Sequence, residues 1–132
     1  MEDRELLRLA IEAKKNSYSP YSKFRVGAAV LAESGKAYTG VNIENSSFGA
    51  TNCAERTAIF KAVSEGEKKI IKIAIASDSD DIIYPCGICR QVMTEFCGKE
   101  TIIICSKKNG EYKVHTLNEI LPNAFDKESL KV

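Results

Sequence analysis

The chain has 132 residues, 44% of them apolar, which is the size and composition of one globular domain able to bury its own core. Its 19 basic and 18 acidic residues leave a net charge of +1 without a block of one sign, which argues against a nucleic acid as the partner. A charged amino terminus and the lack of an apolar run of about 20 residues argue against a leader peptide and a membrane span, so we expect a cytoplasmic protein with reduced cysteines.

The first half of the chain is predicted to form a helix, a hairpin and a second helix. The elements, in chain order, are a helix over 3–15, strands over 24–31 and 37–43, and a helix over 54–64. Pro20 follows the first helix in a serine-rich loop, because the residue before a proline avoids the helical region. Gly35 lies in the turn between the two strands, and Gly66 favours a stop for the second helix.

The second half is predicted to form a strand, a helix, another hairpin and a short last helix. The elements are a strand over 70–76, a helix over 87–97, strands over 101–105 and 112–116, and a helix over 117–121. The first of these strands is apolar enough to be covered on both faces. The whole order predicts one α/β domain over residues 1–132, a five-stranded mixed sheet with helices on its faces. The two central crossovers predict parallel middle strands, and the two hairpins predict antiparallel pairs.

Three cysteines and a glutamate form the strongest chemical motif. Cys53 precedes Glu55 by two residues, and Cys86 and Cys89 lie in the segment Pro-Cys-Gly-Ile-Cys. Three thiolates can hold zinc and leave its fourth tetrahedral position open to water, while a nearby carboxylate moves protons to and from that water. All three cysteines are predicted at helix starts, where the helix dipole favours thiolates. Arg56 is expected to offset the negative charge of the thiolates by donating hydrogen bonds to sulfur.

Other uses of the cysteines stay open at this point. The CxxC segment suits a redox pair, although such a pair would not need the first cysteine or the glutamate. A closed structural zinc site would need a fourth ligand, but Cys97 is expected about 12 Å beyond Cys89 on the same helix. Cys105 lies late in a strand, and we expect both spare cysteines to be small buried apolar residues. His115 is expected to be a surface or interface residue and not a ligand.

Four segments taken together resemble the cytidine deaminases. They are Phe24–Val30, Asn42–Asn45, Cys53–Ala58 and Pro85–Gln91, and they follow one another in the family's order. The resemblance covers nearly the whole chain and is to the small, homotetrameric, zinc-dependent type. It implies a three-layer α-β-α architecture whose last two strands form an antiparallel hairpin, with one zinc ion per subunit held by the three cysteines.

The resemblance also implies roles for residues outside the zinc motif. Phe24 would pack against the pyrimidine ring, and Asn42 and Glu44 would bind the ribose hydroxyls. Ala54 would offer backbone groups to the edge of the base. Phe125 would reach into the site of a neighbouring subunit, so that the homotetramer completes its own sites. The sequence departs from the family at Phe48, where a tyrosine is common.

The activity that the resemblance implies is hydrolytic deamination of cytidine and 2′-deoxycytidine to uridine and 2′-deoxyuridine with release of ammonia, a reaction of pyrimidine salvage. Glu55 would take a proton from water, protonate N3 of the base and return a proton to the leaving amine. The alternatives are a deaminase of another amino-heterocycle such as blasticidin, a deaminase of polynucleotides, and a non-catalytic zinc-binding domain. The Asn109-Gly110 turn and the near-neutral charge speak against a polynucleotide as substrate.

Overall fold

The computed structural model describes residues 1–131 and has four helices on the two faces of one sheet. The helices are α1 (Asp3–Ala13), α2 (Ala54–Ser64), α3 (Gly87–Phe96) and α4 (Leu117–Ile120). The strands are β1 (Val26–Ala32), β2 (Ala37–Val41), β3 (Ile70–Ser77), β4 (Cys97–Ser106) and β5 (Tyr112–Thr116). Two short 3-10 turns lie at Lys14–Asn16 and Phe48–Ala50. None of the helices among these residues has the length and apolar character that crossing a membrane requires.

The five strands lie in the order β2-β1-β3-β4-β5. Strand β1 runs antiparallel to both of its neighbours, β3 and β4 are parallel, and β4 and β5 are antiparallel. The prediction that the two central crossovers join parallel strands, and that the two hairpins are antiparallel, is therefore confirmed. The crossover through α2 does join two strands of the same direction, β2 and β3, but β1 lies between them. In that inner place β1 buries six of its seven residues, whereas β2 at the edge of the sheet buries only Gly40.

The junction between α3 and β4 also differs from the prediction. The helix ends at Phe96, and Cys97 already has the extended conformation and pairs with Ile70. Strand β4 therefore begins four residues before the expected 101 and contains Cys97, which the sequence pattern predicts to lie on the helix. The polar residues 97–100, between the helix and the apolar part of the strand, are typical of a loop. Their strand conformation depends on pairing with a segment that is distant in sequence.

The core consists of two layers, one on each face of the sheet. Strand β3 contributes to both, since Ile73 and Ile75 pack among residues of α2 and α3, while Ala74 and Ala76 pack under α1. The prediction that this strand is covered on both faces is confirmed. Helix α2 lies very close to β2, because a Cβ atom on Gly40 would come within 2.4 Å of the backbone nitrogen of Ala58. This close contact fixes the position of α2 and of the motif at its start.

Candidate active site

Two helix starts bring the three motif cysteines together. Cys53 is the N-cap residue of α2 and Cys86 is the N-cap residue of α3, and both have extended backbone conformations. Cys89 lies in the first turn of α3, where its backbone N–H donates to the sulfur of Cys86 over 3.5 Å. Because i and i+3 positions share a face of a helix, the CxxC spacing places two sulfur atoms on the same side.

The three sulfur atoms have the spacing of a metal site. The Sγ atoms of Cys53 and Cys86 are 3.8 Å apart, those of Cys86 and Cys89 are 3.4 Å apart, and all three lie within 4.8 Å of one another. A tetrahedral zinc ion with Zn–S bonds of about 2.3 Å needs sulfur atoms roughly 3.8 Å apart. In residues 1–131 these cysteines form the one group of three metal-ligating side chains within such distances. The donor set therefore fits zinc with one coordination position left open.

The two other cysteines do not join this group. Cys105 is fully buried in the core between the sheet and α2, and Cys97 is half-buried beside the same core. Burial raises the pKa of each of these two thiols to about 12, so they stay protonated at neutral pH. The geometry leaves a closed four-cysteine site without a fourth ligand.

Hydrogen bonds stabilise the thiolate form of Cys53. The bond with Cys89, together with the guanidinium of Arg56, lowers the pKa of the Cys53 thiol to about 5 despite its partial burial. The same interaction with Cys53, together with burial, raises the pKa of the Cys89 thiol. Arg56 Nη2 lies 3.2 Å from Cys53 Sγ. Burial disfavours the charged guanidinium, but its hydrogen bonds to sulfur outweigh that cost and raise the pKa of Arg56.

Glu55 lies in the first turn of α2 and is only 5% exposed. Burial is the main cause that raises the pKa of its carboxyl group to about 7, and the nearby Cys53 thiolate acts in the same direction. A carboxyl group that titrates near neutrality can both accept and donate a proton under physiological conditions. The arrangement therefore places a general acid–base beside a cluster of metal-ligating sulfurs.

A cleft of about 270 Å³ opens over Glu55, Cys53 and Cys86. The structure brings most of the predicted site residues to its walls; these are Phe24, Asn42, Glu44, Cys53, Ala54, Glu55 and Cys86. Phe125 is not among them. Its side chain is 61% exposed, and its backbone carbonyl accepts a hydrogen bond of 2.7 Å from Gln91 Nε2. Phe48 is also exposed and lies near the ring of Tyr21.

Asn42 is used chiefly to hold the wall of the cleft. Its Oδ1 accepts from the backbone N–H of Val26 over 2.9 Å and from the hydroxyl of Ser17, and its Nδ2 donates to the backbone carbonyl of Phe24 over 2.8 Å. With the side-chain oxygen fully used, one N–H remains free to donate to a ligand. Asn42 therefore fixes the segment that carries Phe24.

Two residues that the sequence reasoning did not single out shape the site. Tyr84 lines the cleft immediately before the Pro-Cys segment. Arg90 donates from Nε to the carbonyl of Pro85 over 2.7 Å and from Nη1 to the carbonyl of Ile120 over 2.6 Å, and so ties the metal-binding turn to α4. The position of Arg90, directly after the second cysteine of the CxxC, is the signal that could have found it.

His115 is half-buried and not fully exposed. Its ring lies 5.4 Å from the ring of Tyr84, and its Nδ1 lies 4.0 Å from a carboxylate oxygen of Glu119. It does not belong to the group of metal-ligating side chains. Its place behind Tyr84 depends on the pairing of β5 with β4, which its sequence neighbours do not reveal.

Residues 1–105 match the family model described as the cytidine and deoxycytidylate deaminase zinc-binding region. The chain belongs to this family. It is 45% identical over 130 residues to the cytidine deaminase of Halalkalibacterium halodurans, a match that covers 98% of both chains. It is also 45% identical to the cytidine deaminase of Sporosarcina psychrophila, over 98% of this chain and 96% of the relative.

A solved structure supports the same assignment. The crystal structure of cytidine deaminase from Burkholderia pseudomallei superposes with a TM-score of 0.91 at 38% identity, covering 95% of this chain and 100% of the other. The predicted α/β fold with its five-stranded mixed sheet and late hairpin is thereby confirmed. Membership of a deaminase family likewise confirms the expectation of an enzyme.

Proposed function

We propose that the chain catalyses the zinc-dependent hydrolytic deamination of cytidine and 2′-deoxycytidine to uridine and 2′-deoxyuridine, with release of ammonia. The observation that carries the proposal is the buried carboxyl group of Glu55 near three clustered sulfurs, with Glu55 and two of the three cysteines lining one cleft. The two relatives and the solved structure described above, all cytidine deaminases, support this substrate class.

The mechanism follows from what Glu55 can do at this position. When bound by Cys53, Cys86 and Cys89, zinc supplies Lewis-acid activation of a water molecule. Glu55 accepts a proton from the attacking water and delivers it to N3 of the base, as oxygen bonds to C4. It then carries the second proton of that water to the amino group, which leaves as ammonia when the C4–N bond breaks. Both transfers suit a carboxyl group whose pKa is raised to about 7.

The walls of the cleft supply the groups that bind the nucleoside. Phe24 packs its ring on the pyrimidine, and Ala54 offers its backbone groups to the base edge. The free N–H of Asn42 and the carboxylate of Glu44 bind the sugar hydroxyls. The positions of all four on one cleft beside Glu55 support these assignments.

The assembly that we propose is a cytoplasmic homotetramer of single-domain subunits with one zinc ion each, acting in pyrimidine salvage. The single domain would span residues 1–132, of which Val132 lies outside the described residues. The exposed side chain of Phe125, which lies away from the cleft of its own chain, is available to reach the site of a neighbour.

A substrate panel tests the proposal. Purified protein is mixed separately with cytidine, 2′-deoxycytidine, cytosine and blasticidin, each with and without a zinc chelator. The loss of ultraviolet absorbance measures deamination. We expect both nucleosides to react, the chelator to abolish the reaction, and added zinc to restore it. If blasticidin alone reacted, the protein would be a deaminase of another amino-heterocycle and not of nucleosides. Bound zinc without reaction of any compound would establish a non-catalytic zinc-binding domain.

A further inference from the structure

Ser22 contacts both of the residues that we propose to bind base and sugar. Its hydroxyl donates to the carboxylate of Glu44 and accepts from the backbone N–H of Phe24, with 3.0 Å between nitrogen and oxygen. Its own backbone N–H also donates to Glu44 over 3.1 Å. Ser22 lies on the wall of the same cleft, so one side chain connects two parts of the binding surface.

The direction of the Ser22 hydroxyl is fixed by these partners. The Ser22 hydroxyl is the largest cause that holds the pKa of Glu44 below its ordinary value, so Glu44 is ionised at neutral pH and can only accept hydrogen bonds. The single hydroxyl proton must then point to Glu44, and a lone pair of the same oxygen receives the N–H of Phe24. Rotation of the Ser22 side chain about χ1 would move the oxygen away from both partners and break both bonds at once.

The backbone between Ser22 and Phe24 needs this support. Lys23 has φ of 61°, the left-handed region that is unfavourable for a residue with a side chain. Its N–H donates to the carbonyl of Ser19 over 3.0 Å, which closes a tight turn. The bond from Phe24 N–H to the Ser22 hydroxyl spans the strained residue, so it holds the aromatic side chain at the end of the turn.

Glu44 keeps a binding position for a ligand in spite of these contacts. Its Oε1 accepts from the backbone N–H groups of Tyr21 and Ser22, over 2.9 and 3.1 Å, and its Oε2 accepts from the Ser22 hydroxyl. A carboxylate offers about four acceptor positions, so one remains on Oε2. The three bonds leave the carboxylate with a single orientation toward the cleft.

We propose that Ser22 is a positioning residue that sets the separation between the aromatic ring for the base and the carboxylate for the sugar. It would make the site select a nucleoside, in which base and sugar are held at a fixed distance by the glycosidic bond. The inference rests on the proposed function, since it uses the roles proposed for Phe24 and Glu44.

The chain offers a closely matched control for Ser22. Ser34 also donates from its hydroxyl to a glutamate, Glu67 Oε2 at 2.7 Å, and also accepts from the backbone N–H two residues later, at Lys36 over 3.3 Å. It lies in the turn between β1 and β2 and not on the cleft. Ser34→Ala therefore removes the same kind of hydrogen bonds without touching the site.

The experiment compares steady-state kinetics on cytidine for zinc-loaded wild type, Ser22→Ala, Ser22→Thr and Ser34→Ala. We expect KM to rise about tenfold in Ser22→Ala, the loss typical of a hydrogen bond to a charged group, with kcat changed less than about threefold. Ser34→Ala should leave both constants unchanged. Ser22→Thr keeps the hydroxyl and should have a KM within about threefold of wild type.

A double-mutant cycle with Glu44→Ala separates positioning from general stability. In the Glu44→Ala background, Ser22→Ala should raise KM by less than about threefold, because the carboxylate that it orients is gone. An unchanged KM in Ser22→Ala, a rise of equal size in Ser22→Thr, or the full tenfold effect without Glu44 would overturn the inference. Failure of wild type to deaminate cytidine would instead overturn the proposed function, so the two failures are distinguishable.

Discussion

The metal-binding centre and the nucleoside-binding wall of the cleft are held in place by different means. Cys53, Cys86 and Cys89 sit at the first residues of two helices, so regular backbone geometry sets their positions. Asn42 and Glu44 instead follow a strand and are fixed by hydrogen bonds to segments about 20 residues away along the chain. The positions of the metal-binding cysteines thus follow from local helix geometry, whereas the geometry of the binding wall depends on tertiary contacts between loops.

The largest effect should follow removal of a metal ligand. Cys89→Ala takes one sulfur from the cluster, so we expect loss of bound zinc and a fall in kcat/KM of more than roughly ten thousandfold. Zinc stoichiometry by atomic emission and the cytidine assay measure both. Cys97→Ala is the control, because this cysteine lies outside the cluster and its loss should leave zinc stoichiometry unchanged. Full zinc content in Cys89→Ala would contradict the ligand assignment.

The local coding of the centre explains why the sequence predicts it well. The CxxC spacing and the helix periodicity around it are visible within a few residues, so both helix starts and the cluster could be expected from residues 53–56 and 85–91 alone. The fold class and the late hairpin could be predicted for the same reason, since turn residues and strand patterns are local. The position of β1 between the parallel strands β2 and β3 could not be predicted in this way. It depends on which of the two hairpin strands buries both of its faces in the folded sheet.

The binding wall could be predicted only through the family resemblance. Nothing in the sequence near Asn42 indicates that its side chain bonds the backbone at Val26 and Phe24, since the partners come together only after β1 and β2 pair. The early start of β4 at Cys97 and the half-buried place of His115 have the same origin. In each case the structure of the segment depends on a pairing strand that is distant in sequence, so local secondary-structure propensity cannot predict it.

Substitution of Arg56 tests whether the metal-binding centre needs supporting residues in addition to its three cysteine ligands. Arg56→Ala removes the guanidinium 3.2 Å from Cys53 Sγ, and we expect a ten- to hundredfold loss in zinc affinity or turnover, the usual scale for groups that support a metal ligand. Competition with a zinc chelator and the cytidine assay measure the two quantities. Arg8→Ala, an exposed arginine of α1, should change neither. If Arg56→Ala had the zinc affinity and turnover of wild type, the role assigned to Arg56 would be contradicted.

Asn42 tests whether the wall is held as we describe. Asn42→Ala leaves the N–H of Val26 and the carbonyl of Phe24 without their partner, and the free energy of unfolding should fall by about 2 kcal/mol. Zinc stoichiometry should stay at the wild-type value, since the centre is built from other elements. Urea denaturation measures the first quantity, with the exposed Asn118→Ala as control. Loss of zinc in Asn42→Ala would show that wall and centre are not separate.

The smallest effect concerns the ion cluster formed by Asp78 with Lys14 and Arg25. The Arg25 guanidinium and then Lys14 lower the pKa of Asp78 to about 2 from its ordinary 3.8. Its stabilising contribution is therefore complete above pH 3.8 and is lost as pH falls through about 2. Asp78→Asn should lower the free energy of unfolding by about 1 kcal/mol at pH 7, and its deficit should shrink between pH 4 and pH 2. Loss of zinc in acid affects both proteins alike, so a deficit that stays constant over this range would contradict the assignment.

Glu55→Gln with zinc quantified in the same sample tests the central claim most directly. The amide keeps the size of the side chain but cannot carry protons between water, N3 and the amino group. We predict zinc stoichiometry equal to wild type and a kcat for cytidine reduced by roughly ten thousandfold, while Glu65→Gln at the other end of α2 retains full activity. Turnover of Glu55→Gln within about tenfold of wild type at equal zinc content would contradict the account.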